Sequence, residues 1–280
     1  MRKIALELRL LLREKLLWGF LAAFLILNGL IIQTKLPLAN AGWELEALLP
    51  ELIGSSDALL YNKLLPAVLA ESCFLCFWLV LTGLERERVT GTAPVTYTAK
   101  TGRTMAGNRI LAGLAAATLS FLLLSGLSVG CFFALHPARS VYLQAHSAQD
   151  PSFVGHIAAC LLLCWGILLS FGLLTGAAGL LFRSPFPGFL LVAGLTAAWL
   201  FSVRLCRPEP ALWQWPLIWN PANVLLTVED EKLIFRLSRW FLGSDACPLA
   251  GLEPEVVCSW VLFGAGLFFA AWRGFLKKEM

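Results

Sequence analysis

The chain has 280 residues, of which 58% are hydrophobic and 14% charged. Soluble domains run at roughly 45–50% apolar and about 25% charged, so an ordinary soluble enzyme, a disordered chain and a fibrous repeat are excluded. The net charge of +4 comes from basic residues beside apolar runs, not on soluble elements, which argues against a nucleic-acid partner. The chain reads as all-α: a polytopic membrane protein with one transmembrane domain over residues 1–280.

Residues 1–15 read as a helix on the cytoplasmic membrane surface. Ile4, Leu8, Leu11 and Leu12 form an apolar stripe, with Arg2, Arg9 and Arg13 on another face and Leu6 and Leu10 interrupting it. The competing reading is a plain extension of the first span. A bilayer core about 30 Å thick needs ~20 apolar helical residues. Six stretches qualify: 16–32, 64–84, 110–135, 154–182, 186–203 and 256–272. Arg183-Ser184-Pro185 and then Pro187 make a tight turn between the fourth and fifth. Ala39-Asn40-Ala41 would suit signal-peptide cleavage, but the first apolar run is too long and Glu7 and Glu14 precede it, so it reads as an uncleaved span.

Six spans put both termini on one side, and Lys and Arg identify that side as the cytoplasm. The inner segments carry fourteen of the 22 basic residues against five acids, net +9, and the outer segments are net −4. Two outer segments are more than turns. Residues 33–63 carry Glu44, Glu46, Glu51 and Asp57. Residues 204–255 carry the interfacial Trp213, Trp215 and Trp219, a helix start at Asn220-Pro221, and a second start near Glu229-Asp230-Glu231 that runs on through Leu233, Leu237 and Trp240. They are expected to form re-entrant or interfacial helices before the last span. Cys206 and Cys247 flank this region, either as a disulfide in an oxidising compartment or as two thiols. Cys73 and Cys76 form a C-x-x-C without a second ligand pair, which reads as packing; no metal site is expected.

The sequence holds no P-loop, no H-E-x-x-H and no nucleophile elbow, so no catalytic role is expected of this chain. One carboxylate, Glu71, interrupts an apolar span. Charges there are costly and often functional. Glu71 either lines a translocation path or makes a structural hydrogen bond. Phe74, Phe77 and Trp78 on the same span, with Phe121, Phe132 and Phe133 on the third, are candidates for a hydrophobic groove; ordinary packing is the alternative for each.

The inner stretch 85–109 is the one cytoplasmic segment with a charge pattern. It opens on Glu85-Arg86-Glu87-Arg88, passes Gly91-Thr92, Val95, Tyr97 and Lys100, and closes on Thr101-Gly102-Arg103 and Arg109. Here the sequence resembles the permease subunits of type-2 ATP-binding-cassette exporters. Those proteins show an E-x-E-x-x-G-T stretch after the second span, then a short helix and a small-residue/arginine turn. This chain has one additional residue before Gly91, and Arg109 where a lysine is usual.

The resemblance implies a coupling loop at Glu85, Glu87, Gly91, Thr92, Val95, Tyr97, Lys100, Arg103 and Arg109, its helix near 95–100 seated in a cytosolic ATP-binding subunit. Glu85 and Glu87 would hold the loop by charge pairing, and Arg103 and Arg109 would anchor it to lipid head groups or the partner. ATP and Mg2+ would sit on that partner, with no cofactor in this chain. A second permease copy or a related permease would complete the transporter in a bacterial inner membrane. The cargo would be hydrophobic or amphipathic: a peptide, a lipid or a drug. The alternatives are an ion-coupled secondary carrier, for which Glu71 speaks, and a non-transporting scaffold or immunity protein.

Overall fold

The computed structural model describes residues 2–33, 59–89, 100–135, 152–181 and 253–277, together with Gly194 and the pairs 227–228 and 231–232. The helices are α1 (Arg2–Leu12), α2 (Lys15–Gln33), α3 (Leu65–Val89), α4 (Lys100–Leu135), α5 (Ser152–Leu181) and α6 (Glu253–Lys277). A π-helical turn, Leu60–Leu64, leads into α3. Four helices, α2 to α5, are long and apolar enough to cross a membrane, as expected of a multi-pass membrane protein. The sixth expected span lies within α6. The fifth, at 186–203, the tryptophans at 213–219 and both Cys206 and Cys247 lie outside the described residues.

The helix α4 is central and touches each of the other five. Its apolar faces supply Ile110, Leu114, Phe121 and Leu124 to one buried cluster and Phe132 to a second, where Phe132 meets Ile32, Leu64 and Ile157. Glycines set how closely the helices approach. A methyl group at Gly172 of α5 would collide with Leu114 and stand 2.7 Å from the Cys76 sulfur. At Gly176 it would meet Ile110 at 2.9 Å, and at Gly179 Leu84 at 2.6 Å. These three lie on one face of α5, and Gly113 on α4 faces the Val80 backbone at 3.0 Å in the same sense. Cys76 is buried and its thiol faces the Leu168 carbonyl at 3.9 Å, as packing residues do.

Three hydroxyls in the spans are satisfied within their own helices. Ser120, Ser170 and Thr175 each donate to the carbonyl four residues earlier at 2.9 Å. Large side chains that face outward, such as Ile26, Leu122, Leu162 and Phe269, suit hydrocarbon.

α1 is a separate helix, not an extension of α2. Arg13 and Glu14 break the register with short bonds to Leu10 and Leu11, and the Trp18 indole donates to the Leu12 carbonyl at 2.9 Å. That bond satisfies a carbonyl that a helix end otherwise leaves open. The stripe Ile4, Leu8, Leu11 and Leu12 turns toward the bundle and packs in its core cluster.

Two expectations are corrected. Residues 85–109 are not one loop: α3 continues through Glu85 and Glu87 to Val89, and α4 begins at Lys100, so Thr101-Gly102-Arg103 are helical, not a turn. Glu and Arg are strong helix formers, which carries α3 beyond its apolar run. A glycine inside a helix costs about 1 kcal/mol, and the early turns of α4 offset Gly102 and Gly107 by burying Ala106 and Arg109. Gly107 also lies under the Trp272 ring, where a methyl would stand 2.7 Å from the indole. Secondly, Glu231 does not open a helix. Thr227–Val228 pairs antiparallel with Glu231–Lys232, the β-branched pair favouring an extended ladder over the helix start.

Direction follows from the contacts. Gly264 of α6 faces Ser170 of α5, and Phe268 faces Gly176. The two helices therefore run parallel, and Leu181 and Glu253 stand at opposite ends of the bundle.

Overfilling a packed core costs typically 1–3 kcal/mol, so Gly172→Val and Gly113→Val are expected to lower the melting midpoint in mild detergent. Gly126 and Gly166 have open space around them. Gly126→Ala and Gly166→Ala are expected to leave the midpoint unchanged or raise it. Equal behaviour of the two pairs in a fluorescence melt would contradict the glycine face as the seam.

Candidate functional site

Two polar groupings stand out in an otherwise apolar bundle, one at each end. The first lies where α1, the end of α3 and the start of α4 converge. Arg109 Nε donates to Glu7 Oε1 at 3.3 Å, with side chains only 7% and 14% exposed. Arg86 of α3 reaches Glu14, between α1 and α2, at 3.5 Å, and this pair is more open. Low exposure decides their weight. An exposed ion pair contributes roughly 0–1 kcal/mol, whereas removing one partner of a buried pair costs about 3–5 kcal/mol. Glu7–Arg109 is therefore the fixed joint and Glu14–Arg86 a lesser one.

The sequence-derived coupling residues divide accordingly. Arg109, expected to anchor the loop to lipid head groups or the partner, is buried against Glu7, and its guanidinium forms an internal joint. Glu85 is exposed on the last turns of α3, and Glu87 lies on the same helix. Lys100 opens α4 and Arg103 follows in its first turns. Gly91, Thr92, Val95 and Tyr97 fall outside the described residues. Glu7 was legible only as an inner charge.

The second grouping lies inside the spans. Asn28 Nδ2 donates to Glu71 Oε2 at 2.9 Å and to Ser128 Oγ at 3.1 Å, tying α2 to both α3 and α4. Asn28 and Ser128 are 1% and 2% exposed. Glu71 is half-buried. Asn28 precedes Gln33 by five residues, Glu71 follows Leu65 by six and Ser128 precedes Leu135 by seven. At 1.5 Å per residue the layer is about 8–10 Å from those helix ends. It is thus nearer the end away from the basic residues than the middle. Pro66 does not break the helix. It occupies the first turn of α3, where its missing N–H is tolerated, and the π-helical turn before it closes with a Leu65 N–H to Leu60 carbonyl bond.

Asn28 is the one amide in the first apolar run, a signal the sequence offered. Its partnership with Glu71, 43 residues away, was not legible. Interhelical hydrogen bonds in membranes contribute about 0.6 kcal/mol each, up to ~1.7. Among the described residues, buried Asn28 Oδ1 and Ser72 Oγ have no hydrogen-bond partner, and such groups cost ≈ 1–3 kcal/mol each. The layer is a poor staple on this balance.

Beside it the α2–α3 interface is aromatic. Phe20 meets Phe74 edge-on at 5.3 Å and Trp78 at 5.6 Å, and Phe24 meets Phe74 at 6.0 Å. The pairs 28/71, 24/74 and 20/78 descend the antiparallel interface in register. Of the expected groove residues, Phe74 and Trp78 join this wall, and Phe77 is partly buried nearby on α3. Phe121 and Phe132 are core, and Phe133 packs on Phe132 at 5.4 Å. Phe20 and Phe24 were absent from the sequence reading.

Arg109→Met is expected to destabilise the protein by about 3–5 kcal/mol. The swap Glu7→Arg with Arg109→Glu is expected to recover part of that loss. A double-mutant cycle on detergent-phase unfolding measures the coupling, and additive losses would remove the pair from the joint.

Compared with protein-family models, curated proteins and solved structures, the chain matches none.

Proposed function

We infer that this chain is the permease subunit of an ATP-binding-cassette exporter, moving a hydrophobic or amphipathic substrate with energy from a separate ATPase. The observation that carries this reading is the joint at the basic end. Two helical arms, α3 to Val89 and α4 from Lys100, extend past the apolar runs; Glu7–Arg109 pins α4 to α1, and Glu14–Arg86 ties α3 to the link between α1 and α2. Helical arms suit the transmission of rigid-body motion, and residues 90–99 connect them. The excess of basic side chains at this end supports a cytoplasmic placement of both termini and of the arms. The resemblance of Glu85, Glu87, Gly91 and Thr92 to the exporter motif supplies the partner class, a cytosolic ATP-binding subunit, with a second permease completing the assembly.

The ion-coupled carrier retains one observation in its favour, the Asn28–Glu71–Ser128 layer within the spans. Driving force separates the two readings. Purified in mild detergent, the chain is expected to carry a stoichiometric nucleotide-binding protein whose ATP hydrolysis rises with substrate. Gly91→Trp and Glu87→Lys should each abolish that stimulation while leaving the melting midpoint within a few degrees. Recovery as a homo-oligomer with ion-driven uptake in liposomes would give the carrier reading precedence, and normal stimulation in both variants would remove the coupling loop.

A further inference from the structure

We propose that the seam between α2 and α3 is a binding site for an amphipathic organic cation, which enters from the lipid. Glu71 takes the charge, Asn28 orients the carboxylate, and Phe20, Phe24, Phe74 and Trp78 hold the apolar body. The proposal rests on the transport reading only in treating this ligand as cargo.

Position comes first. Glu71, Phe74 and Trp78 are spaced three and four residues apart, so they share one face of α3. Phe20, Phe24 and Asn28 do the same on α2. The aromatic contacts and the Asn28–Glu71 bond close these two faces on each other. Phe74 is 43% exposed and Glu71 half-buried, so the seam is open on the outer side of the bundle. Only 22% of the α2 span is buried in the protein, against 50–56% for the spans of α3, α4 and α5. The wall that α2 contributes is therefore the least tied to the rest.

Chemistry fixes the class of ligand. The seam offers one carboxylate and, among the described residues, no basic side chain paired with it. The carboxylate accepts from the Asn28 amide, whose own oxygen is buried without a partner. A cation brought to Glu71 would meet its carboxylate in a medium where opposite charges attract strongly. A bare metal ion is a poor fit, because hard cations take six or more oxygen ligands. Four rings within one helix interface suit an organic cation, whose charge is attracted to aromatic faces and whose apolar groups replace lipid contacts. An anion or a neutral lipid tail would gain nothing from Glu71.

The test uses the full-length protein in non-ionic detergent without nucleotide. Labelled tetraphenylphosphonium is measured by equilibrium dialysis, with empty micelles subtracted. Saturable binding is expected. The isosteric anion tetraphenylborate should displace the label at least about tenfold less well than unlabelled cation, the size a lost charge-assisted contact gives. Glu71→Gln should weaken binding at least about tenfold and Glu71→Asp should restore most of it, while Phe74→Ala should weaken it about three- to tenfold. Each variant is checked for wild-type elution and melting. No saturable binding, equal competition by the anion, or unchanged affinity in a folded Glu71→Gln overturns the site. If Glu71→Gln does not fold, the cation–anion comparison on the unaltered chain decides the matter. Because no ATPase is present, failure here leaves the coupling reading standing, and loss of the coupling reading leaves measured binding intact.

Discussion

The close approach of α5 to α3 and α4 sets the geometry of the rest. Inside a bilayer the lipid is as apolar as the helix faces, so burying leucine gives little drive for association. What remains is dispersion between surfaces that fit, and fit depends on how near the backbones come. Gly172, Gly176 and Gly179 give α5 a face without side chains, into which Leu114, Cys76, Ile110 and Leu84 project. With that contact made, α4 is held on one side by α3 and on another by α5. Gly264 and Gly107 extend the same logic to α6, which rests its backbone on Ser170 and its Trp272 ring on α4. Helices α3 to α6 thus form a frame built on contacts shorter than ordinary side chains permit.

The first two helices are attached to this frame by other means. α1 adds its apolar stripe and one buried ion pair. α2 contributes few buried residues, among them Leu17, Leu21, Asn28 and Ile32, and is held by edge-on aromatic contacts and the Asn28 hydrogen bonds. Edge-on aromatic pairs contribute about 0.5–1.5 kcal/mol beyond burial, each of them separable from its neighbours. An element held by such individual links is the one that moves at least cost. The α2–α3 interface is accordingly where the bundle can widen without disturbing the glycine contacts.

Much of this was legible because the signals are local. Runs of apolar residues matched both ends of α2 and α5 within two positions, and the start of α3 and the end of α4, and the stripe Ile4, Leu8, Leu11 and Leu12 identified the buried face of α1. The helical arms were hidden because apolarity ends before helicity does. Glu85–Val89 and Lys100–Arg109 are too polar for a span yet remain helical, through strong helix formers in one case and packing under Trp272 and Glu7 in the other. The site was half legible. Glu71 announced itself as a charge in an apolar run, but its partners come from other helices. Asn28 and Ser128 joined the site only once the fold placed Asn28 2.9 Å from Glu71 and 3.1 Å from Ser128. Glu231 misled for the opposite reason: an acidic cluster favours a helix start only when no strand competes.

The two polar groupings are linked by a single rigid element. Glu71 and Arg86 both belong to α3, fifteen residues apart, which at 1.5 Å per residue is about 22 Å along one continuous helix. No proline or π-helical turn interrupts that stretch; both lie before Glu71. A displacement applied to the arms at the basic end is therefore carried along α3 without a hinge. Its consequence at the far end depends on what α3 meets there. Against α5 it meets a close-packed glycine face that resists sliding. Against α2 it meets rings and one amide, whose contacts can break one at a time. The displacement is then taken up as a change in the separation of Phe74 and Trp78 from Phe20 and Phe24, and in the bond from Asn28 to Glu71. On the coupling reading, force from the arms and opening of the aromatic seam would be two ends of one helix's motion.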